Sequence, residues 1–213
     1  QPYRLRPYSF FDIGAKKDYE DAQQNRDVMR KVAEKCYLPM NSLLLELIER
    51  HQGRFRVSFS LTGIVLDQFM EYAPEVLDSF RALARTGCVE FLDETDDHSL
   101  ACLFSEDEFR SQISRHREKM QELFGQSPRA FRNTELVYNN DVARIAADMG
   151  YATILAEGAD RVLGWRSPHF VYQPQGCPDM RLLLRSYSLS DDIAFRFSSR
   201  DWPGYPLMAE TFA

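Results

Sequence analysis

The chain has 213 residues, 44% of them hydrophobic and 27% charged, which is enough apolar material to fill the core of one large domain. Its formal net charge of -6 argues against general nucleic-acid binding, since phosphates would be repelled by most of the surface, and neutral or polar ligands suit it better. No apolar run approaches the roughly 18 residues of a membrane helix and no charged-then-apolar leader opens the chain, so the sequence reads as a soluble, cytoplasmic protein with no membrane partner.

The first 14 residues, QPYRLRPYSFFDIG, are rich in aromatics and proline with no sustained period, and an irregular segment is expected there. From Asp18 the spacing turns helical, with Val28, Val32 and Cys36 on one stripe. A second helix is expected in PMNSLLLELIERHQG, with Pro39 in its first turn and Gly53 at its stop. RFRVSFSLTG alternates Phe55, Val57, Phe59 and Leu61 against polar neighbours, the period of a strand. Helical spacing returns through LDQFMEYAPEVLDSFRALARTG, where Pro74 restarts the helix and Gly87 caps it before the short strand CVEFLDE. Ser105 and Glu108 form a capping-box pattern at the head of SEDEFRSQISRHREKMQELFG, and Gly125 closes that helix. A short strand RAFRN, a helix NNDVARIAADMG, a buried strand YATILAEG and a last strand RLLLRSYSL complete the order, with residues 163–178 expected as a long loop over the sheet's face. Strands alternating with helices predict an α/β fold with a parallel sheet, because a parallel partner is reached only by a crossover. No linker, internal repeat or low-complexity stretch divides the chain, so a single unit is expected.

The four cysteines, Cys36, Cys88, Cys102 and Cys177, are far apart with no CxxC pair, and read as reduced thiols. His51 and His116 fall in charged helical stretches and read as solvated, while His98 and His169 fall in candidate face loops; no HxxxH or HExxH pair occurs. A dedicated metal site is therefore not expected, and GxSxG, GxxxxGK[ST] and GxGxxG are absent. The loops after the carboxyl ends of parallel strands build active sites, which singles out a subset of the acids: Glu90 to Glu94, Glu135, Glu157 with Asp160, and Asp191 with Asp192. Carboxylates from separate strands converging on one face repel one another, an arrangement tolerated where a reaction needs a paired acid and base. Glycoside cleavage uses two carboxylates and no cofactor. Tyr3, Tyr138, Tyr151, Trp165, Phe170, Tyr172 and Trp202 could then stack on sugar rings.

The stretches QP at Gln1 and Pro2, GCVEFL at 87–92, FRNTELVYN at 131–139 and LSDDIAFRFS at 189–198 resemble, in order and spacing, glycoside hydrolase family 57, and RFRVSFSLTG and ILAEGADRVLGWRSP look like stretches of its α-amylase-like subgroup. The resemblance covers essentially the whole chain. It implies a (β/α)7 barrel, here incomplete, acting on α-glucans or maltooligosaccharides with retention of configuration and without metal or other cofactor. Residues 1–213 would form a single catalytic domain truncated at both ends, since the family's first motif is usually His-Gln-Pro and this chain begins at Gln1. By the same likeness Glu135 corresponds to the nucleophile and Glu90 to an acid of the substrate cleft. The general acid falls on the SDD pair: placing it four residues before Phe195 selects Asp191, and a shift of one residue selects Asp192. Gln1, Pro2, His98, Tyr138, Glu157 and Trp165 are the further candidate substrate-binding residues. Asp96 and Asp97 stand where aromatics would be expected beside His98, adding negative charge there. Hydrolysis and glucan transfer both fit, as do two alternatives: a degenerate member that binds α-glucan without cutting it, and another barrel carbohydrate enzyme such as a polysaccharide deacetylase, a chemistry that uses an Asp/His metal site.

Overall fold

The structure, a computed structural model, describes residues 2–14 and 19–212, and the chain divides into two compact units, Gln1–Pro128 and Arg129–Ala213. In the first unit Asp21 caps α1 (Ala22–Val32) by accepting a hydrogen bond from the Gln24 N–H at 2.9 Å. Pro39 is the second residue of α2 (Leu38–Arg50) and has no N–H to give to the carbonyl four residues back. The chain widens one turn just before it, Ala33–Tyr37, in which the Leu38 N–H reaches the Ala33 carbonyl, five residues back. The two expected helices are present, and this wide turn joins them directly.

β1 (Val57–Ser60) and β2 (Val89–Leu92) pair in parallel, Val57 opposite Val89 and Ser60 opposite Leu92. The crossover between them is made of α3 (Gly63–Tyr72), capped by the Thr62 hydroxyl accepting from the Val65 N–H at 3.1 Å, and α4 (Pro74–Arg85), which Pro74 restarts. α5 (Glu106–Phe124) begins with the Ser105 hydroxyl accepting from the Glu108 N–H at 3.2 Å and ends at Gly125, whose φ of 68° needs no Cβ to be accommodated. The core of this unit is aromatic. Phe69, Phe80 and Phe91 are fully buried; Phe59 meets Phe80 edge-on at 5.2 Å between ring centroids, and Phe91 stacks on Phe124 at 4.2 Å. Each such ring contributes on the order of 1.5–3 kcal/mol by leaving water.

In the second unit β3 (Ala130–Arg132), β4 (Thr153–Glu157) and β5 (Arg181–Arg185) form a parallel sheet in that order, the last register pair being Glu157 and Arg185. α6 (Asn140–Asp148), capped by the Asn139 side chain accepting from the Val142 N–H at 2.8 Å, carries the chain from β3 to β4. After β4 come α7 (Asp160–Leu163) and the expected long loop, which Tyr172 ties to the sheet by exchanging two backbone hydrogen bonds with Leu182 at 2.9 and 2.8 Å. The last strand is shorter than expected. Pairing stops at Arg185, and Tyr187–Asp191 is a short helix, α8, running into a wide turn at Asp192–Arg196. The alternation of SYSL imitates a strand, but the Ser190 N–H and hydroxyl both donate to the Ser186 carbonyl, at 3.0 and 2.8 Å, and that closes a helical turn. A final turn of helix, α9, spans Ala209–Phe212.

Among the described residues the α/β class with parallel strands is therefore observed, in two short sheets of two and three strands. Among the described residues no helix is long and apolar enough to cross a membrane.

Candidate active site

β3 ends at Arg132, and Asn133 shapes the turn after it: its Oδ1 accepts from the Thr134 N–H at 3.0 Å, and its Nδ2 donates to the Val137 carbonyl at 2.9 Å. Within that turn Glu135 and Leu136 both take the left-handed conformation, at φ 53° and 56°. For residues other than glycine this costs of order 1–3 kcal/mol each. The result buries Leu136 and leaves Glu135 exposed on the wall of a cavity of about 530 Å³. That volume lies in the range of small-ligand sites. Leu136, Val137, Leu163, Leu182 and Leu184 give the cavity apolar walls, and Glu135, Tyr138, Glu157 and Tyr172 place acids and phenols among them. Burial, with a smaller effect from Cys177, pushes the Tyr138 phenol up in pKa, so at neutral pH it remains a hydrogen-bond donor. Tyr172 already donates its hydroxyl to the Ser167 carbonyl at 2.7 Å.

Glu157 and Asp191 are tied together by a residue that no sequence motif marks, Arg185. Its Nη2 donates to Asp191 Oδ1 at 2.8 Å, and its Nη1 lies 3.6 Å from Glu157 Oε2, so one guanidinium joins the ends of β4, β5 and α8. Asp192 is engaged elsewhere, accepting from Arg196 at 2.9 Å. The structure thus gathers Glu135, Tyr138 and Glu157 around one cavity and ties Asp191 to Glu157. Trp165 is 94% exposed and is not part of the cavity wall. Tyr151, one of the candidate stacking aromatics, is instead a core residue, buried against Phe131 with ring centroids 5.4 Å apart.

Glu90, His98 and Pro2 belong to the first unit, and Gln1 lies outside the described residues. Glu90 is exposed in the middle of β2, opposite Ser58. His98 takes a left-handed conformation at φ 52°, and its Nδ1 lies 3.2 Å from Oε2 of Glu94, a buried carboxylate that also accepts from the Ser60 hydroxyl at 2.6 Å. The expected extra negative charge at Asp96 and Asp97 is not left open. Asp96 is buried with Lys119 3.1 Å from its Oδ1, and Asp97 pairs with Arg115 at 3.0 Å.

The reading of His116 as solvated is corrected. Its side chain is fully buried, with Nε2 donating to the Leu61 carbonyl at 2.7 Å and Nδ1 paired with Asp93. Burial works to lower its pKa, but the hydrogen bond and charge of Asp93, then the Leu61 carbonyl and the Glu94 charge, outweigh it, and the net shift is upward. The charges of Arg115 and Arg117 suggested solvent, whereas the better signal was position: Phe109, Ile113, His116 and Met120 follow one buried stripe of α5. Among the described residues no three His, Cys, Asp or Glu side chains group as metal ligands.

The profile of glycosyl hydrolase family 57 matches residues 1–213. The chain is 50% identical over 197 residues to the curated "Putative alpha-amylase" of Methanocaldococcus jannaschii, an alignment that takes in 92% of this chain and 41% of that protein. Its fold is similar to that of 4-alpha-glucanotransferase from Thermococcus litoralis, with a TM-score of 0.68 and 18% identity over 79% of this chain and 26% of the other. It is also similar to alpha-amylase AmyC from Thermotoga maritima, at 0.62 and 14% over 91% and 45%. The chain therefore spans about two fifths of the length of its curated relative.

Proposed function

Because this chain belongs to glycosyl hydrolase family 57, we propose that it carries the catalytic site of a retaining α-glucan hydrolase or 4-α-glucanotransferase, with Glu135 as nucleophile and Asp191 as general acid. The observation that carries this reading is the turn after β3, which holds an exposed carboxylate in a strained conformation on the wall of a cavity of about 530 Å³. The names of the relatives, an alpha-amylase and a 4-alpha-glucanotransferase, supply the substrate class: α-glucans or maltooligosaccharides.

In this mechanism Glu135 attacks the anomeric carbon while Asp191 protonates the departing glycosidic oxygen. The glycosyl ester on Glu135 is then opened by water, or by a hydroxyl of a second glucan when the outcome is transfer, with Asp191 taking up the proton. Asp192 is the substitute for the acid role. Tyr138, Glu157 and Trp165, with Gln1, Pro2, Glu90 and His98, are the substrate-binding set of the same reading. The five strands are proposed as part of an incomplete (β/α)7 barrel, with residues 1–213 as one catalytic domain. The two-carboxylate route calls for no metal or cofactor.

A second reading, an α-glucan binder that does not cleave, is favoured by one observation: Asp191 and Asp192 are both held by guanidinium groups, at 2.8 and 2.9 Å. Substitution in the full-length protein separates the two. Under the catalytic reading Glu135→Gln lowers turnover of an α-glucan by several orders of magnitude while affinity and melting temperature change little. Asp191→Asn harms substrates with poor leaving groups far more than those with an activated aryl group, by roughly 10²–10⁴-fold for the former. Unchanged turnover in Glu135→Gln would remove the mechanism and leave the binding reading.

A further inference from the structure

Arg185 has no role in the two-carboxylate scheme, yet its guanidinium stands between Asp191, the general acid of that scheme, and Glu157 of the proposed substrate-binding set. It is the last residue of β5 and faces Glu157, the last residue of β4, across the sheet register. The five residues of α8 then bring the chain back so that Asp191, six positions on, meets Arg185 Nη2 through its Oδ1 at 2.8 Å. Glu157 Oε2, 3.6 Å from Nη1, ties the same guanidinium to the neighbouring strand end. The contact is single-pronged on Asp191: the carboxyl group offers one oxygen to the arginine and keeps the other. Arg185 Nε is buried and makes no hydrogen bond among the described residues, so the fork is held by its two terminal nitrogens alone.

We infer that Arg185 is the positioning residue of the general acid: it grips Oδ1 of Asp191 and so reserves Oδ2 as the atom that delivers the proton. The inference rests on the reading of Asp191 as the acid and adds to it the group that aims it. In the protonated acid Oδ1 is the carbonyl-type oxygen and still accepts the Arg185 N–H, while Oδ2 bears the proton. When the glycosidic C–O bond breaks, its electron pair goes to the leaving oxygen, which takes the proton from Oδ2, and Asp191 is left as a carboxylate beside the guanidinium. Its hydrogen bond to Arg185, charge-assisted from the start by the guanidinium, then joins two charged partners and gains their mutual attraction. In the form that carries the proton on Asp191, a contact that strengthens as the proton leaves raises kcat, whereas one equally strong before and after would act only on KM. The two acids bound to Arg185 therefore have different parts: Asp191 reacts, and Glu157 fixes the guanidinium to the sheet.

The test is leaving-group dependence in the full-length protein. Arg185→Gln should lower kcat for an unactivated maltooligosaccharide by roughly 10–100-fold, yet lower it by less than about 3-fold for an aryl maltoside whose leaving group needs no protonation, with KM for both little changed. Arg185→Lys, which keeps the charge and loses the fork, should recover part of the loss. Should Arg185→Gln fail to fold, Arg185→Lys carries the test through the same leaving-group contrast, smaller in size. Equal losses on both substrates, or a rise in KM with kcat intact, would overturn the inference. Glu135→Gln and Asp191→Asn are read alongside. If either keeps full turnover of the unactivated substrate, the two-carboxylate reading has failed and the inference with it; if both lose turnover and Arg185→Gln shows no leaving-group contrast, the inference alone has failed.

Discussion

Glu135 and Leu136 adopt left-handed conformations at φ 53° and 56°, a conformation costing a residue other than glycine roughly 1–3 kcal/mol. Neither residue type signals such a conformation, as glycine or asparagine would, so the motif picked out Glu135 while its backbone stayed invisible in the sequence. The strain yields a prediction that opposes stability to activity. Glu135→Gly should be more stable than Glu135→Ala by ~1 kcal/mol, since only glycine relieves the backbone, and both should be inactive. Equal melting temperatures for the two variants would show that the turn is not strained. His116 gives a prediction in pH. Its pKa is raised in the folded state, so its contribution to stability is fully present below the unfolded value of about 6.5 and is lost as the pH rises through the folded value. The groups acting on it are Asp93, Glu94 and the Leu61 carbonyl, with Arg117 3.5 Å from the far oxygen of Asp93. Replacing the pair with His116→Gln and Asp93→Asn removes the charges while keeping the buried hydrogen-bonding groups. Above about pH 6.5 the unaltered protein should lose melting temperature faster than the double variant. Parallel curves would assign the slope to other groups.

Helix boundaries were the most legible feature of the elements, because their signals are local: Ser105 and Gly125 bracket α5, Pro74 opens α4, and Asn139 caps α6. α8 was not legible, because alternation over four residues fits a strand or a short helix equally well, and the outcome was decided by the bonds from Ser190 to Ser186. Arg185 was missed for a related reason. Inside the expected strand RLLLRSYSL it was one polar position among alternating residues, and only the fold of α8 returns Asp191 to it. Gly63, the first residue of α3, passed unremarked in the sequence, although a Cβ there would lie 1.8 Å from Asp96 Oδ1 and 2.7 Å from the Asp96 carbonyl. Asp96 cannot easily yield, since its carboxylate is held by Lys119 at 3.1 Å. Gly63→Ala should therefore destabilise the protein by ~1–3 kcal/mol, the usual penalty of overpacking, read as a fall in the calorimetric midpoint. An unchanged midpoint would mean that the loop after β2 moves aside freely.

Across the whole molecule, the alternation of strands and helices was sufficient to read an α/β chain with parallel strands, since each crossover is long enough to bring the next strand round in the same direction. It did not reveal where one sheet stops and the next begins, β1 with β2 and β3 to β5, because an edge is decided by contacts distant in sequence. The site was legible in part: Glu135, Tyr138 and Glu157 share a cavity wall, and Asp191 joins Glu157 through an arginine that the motifs did not mark. Membership of the family rests on a match along the whole chain and on a relative 50% identical to it, and the proposed chemistry turns on one carboxylate forming a bond to sugar. The measurement that tests this most directly is mass spectrometry of the full-length protein after reaction with a fluorinated maltosyl fluoride, which forms the glycosyl ester faster than it is released. The account predicts a single adduct on the peptide that carries Glu135. An adduct on another residue, or turnover with inverted anomeric configuration and no adduct, would contradict it.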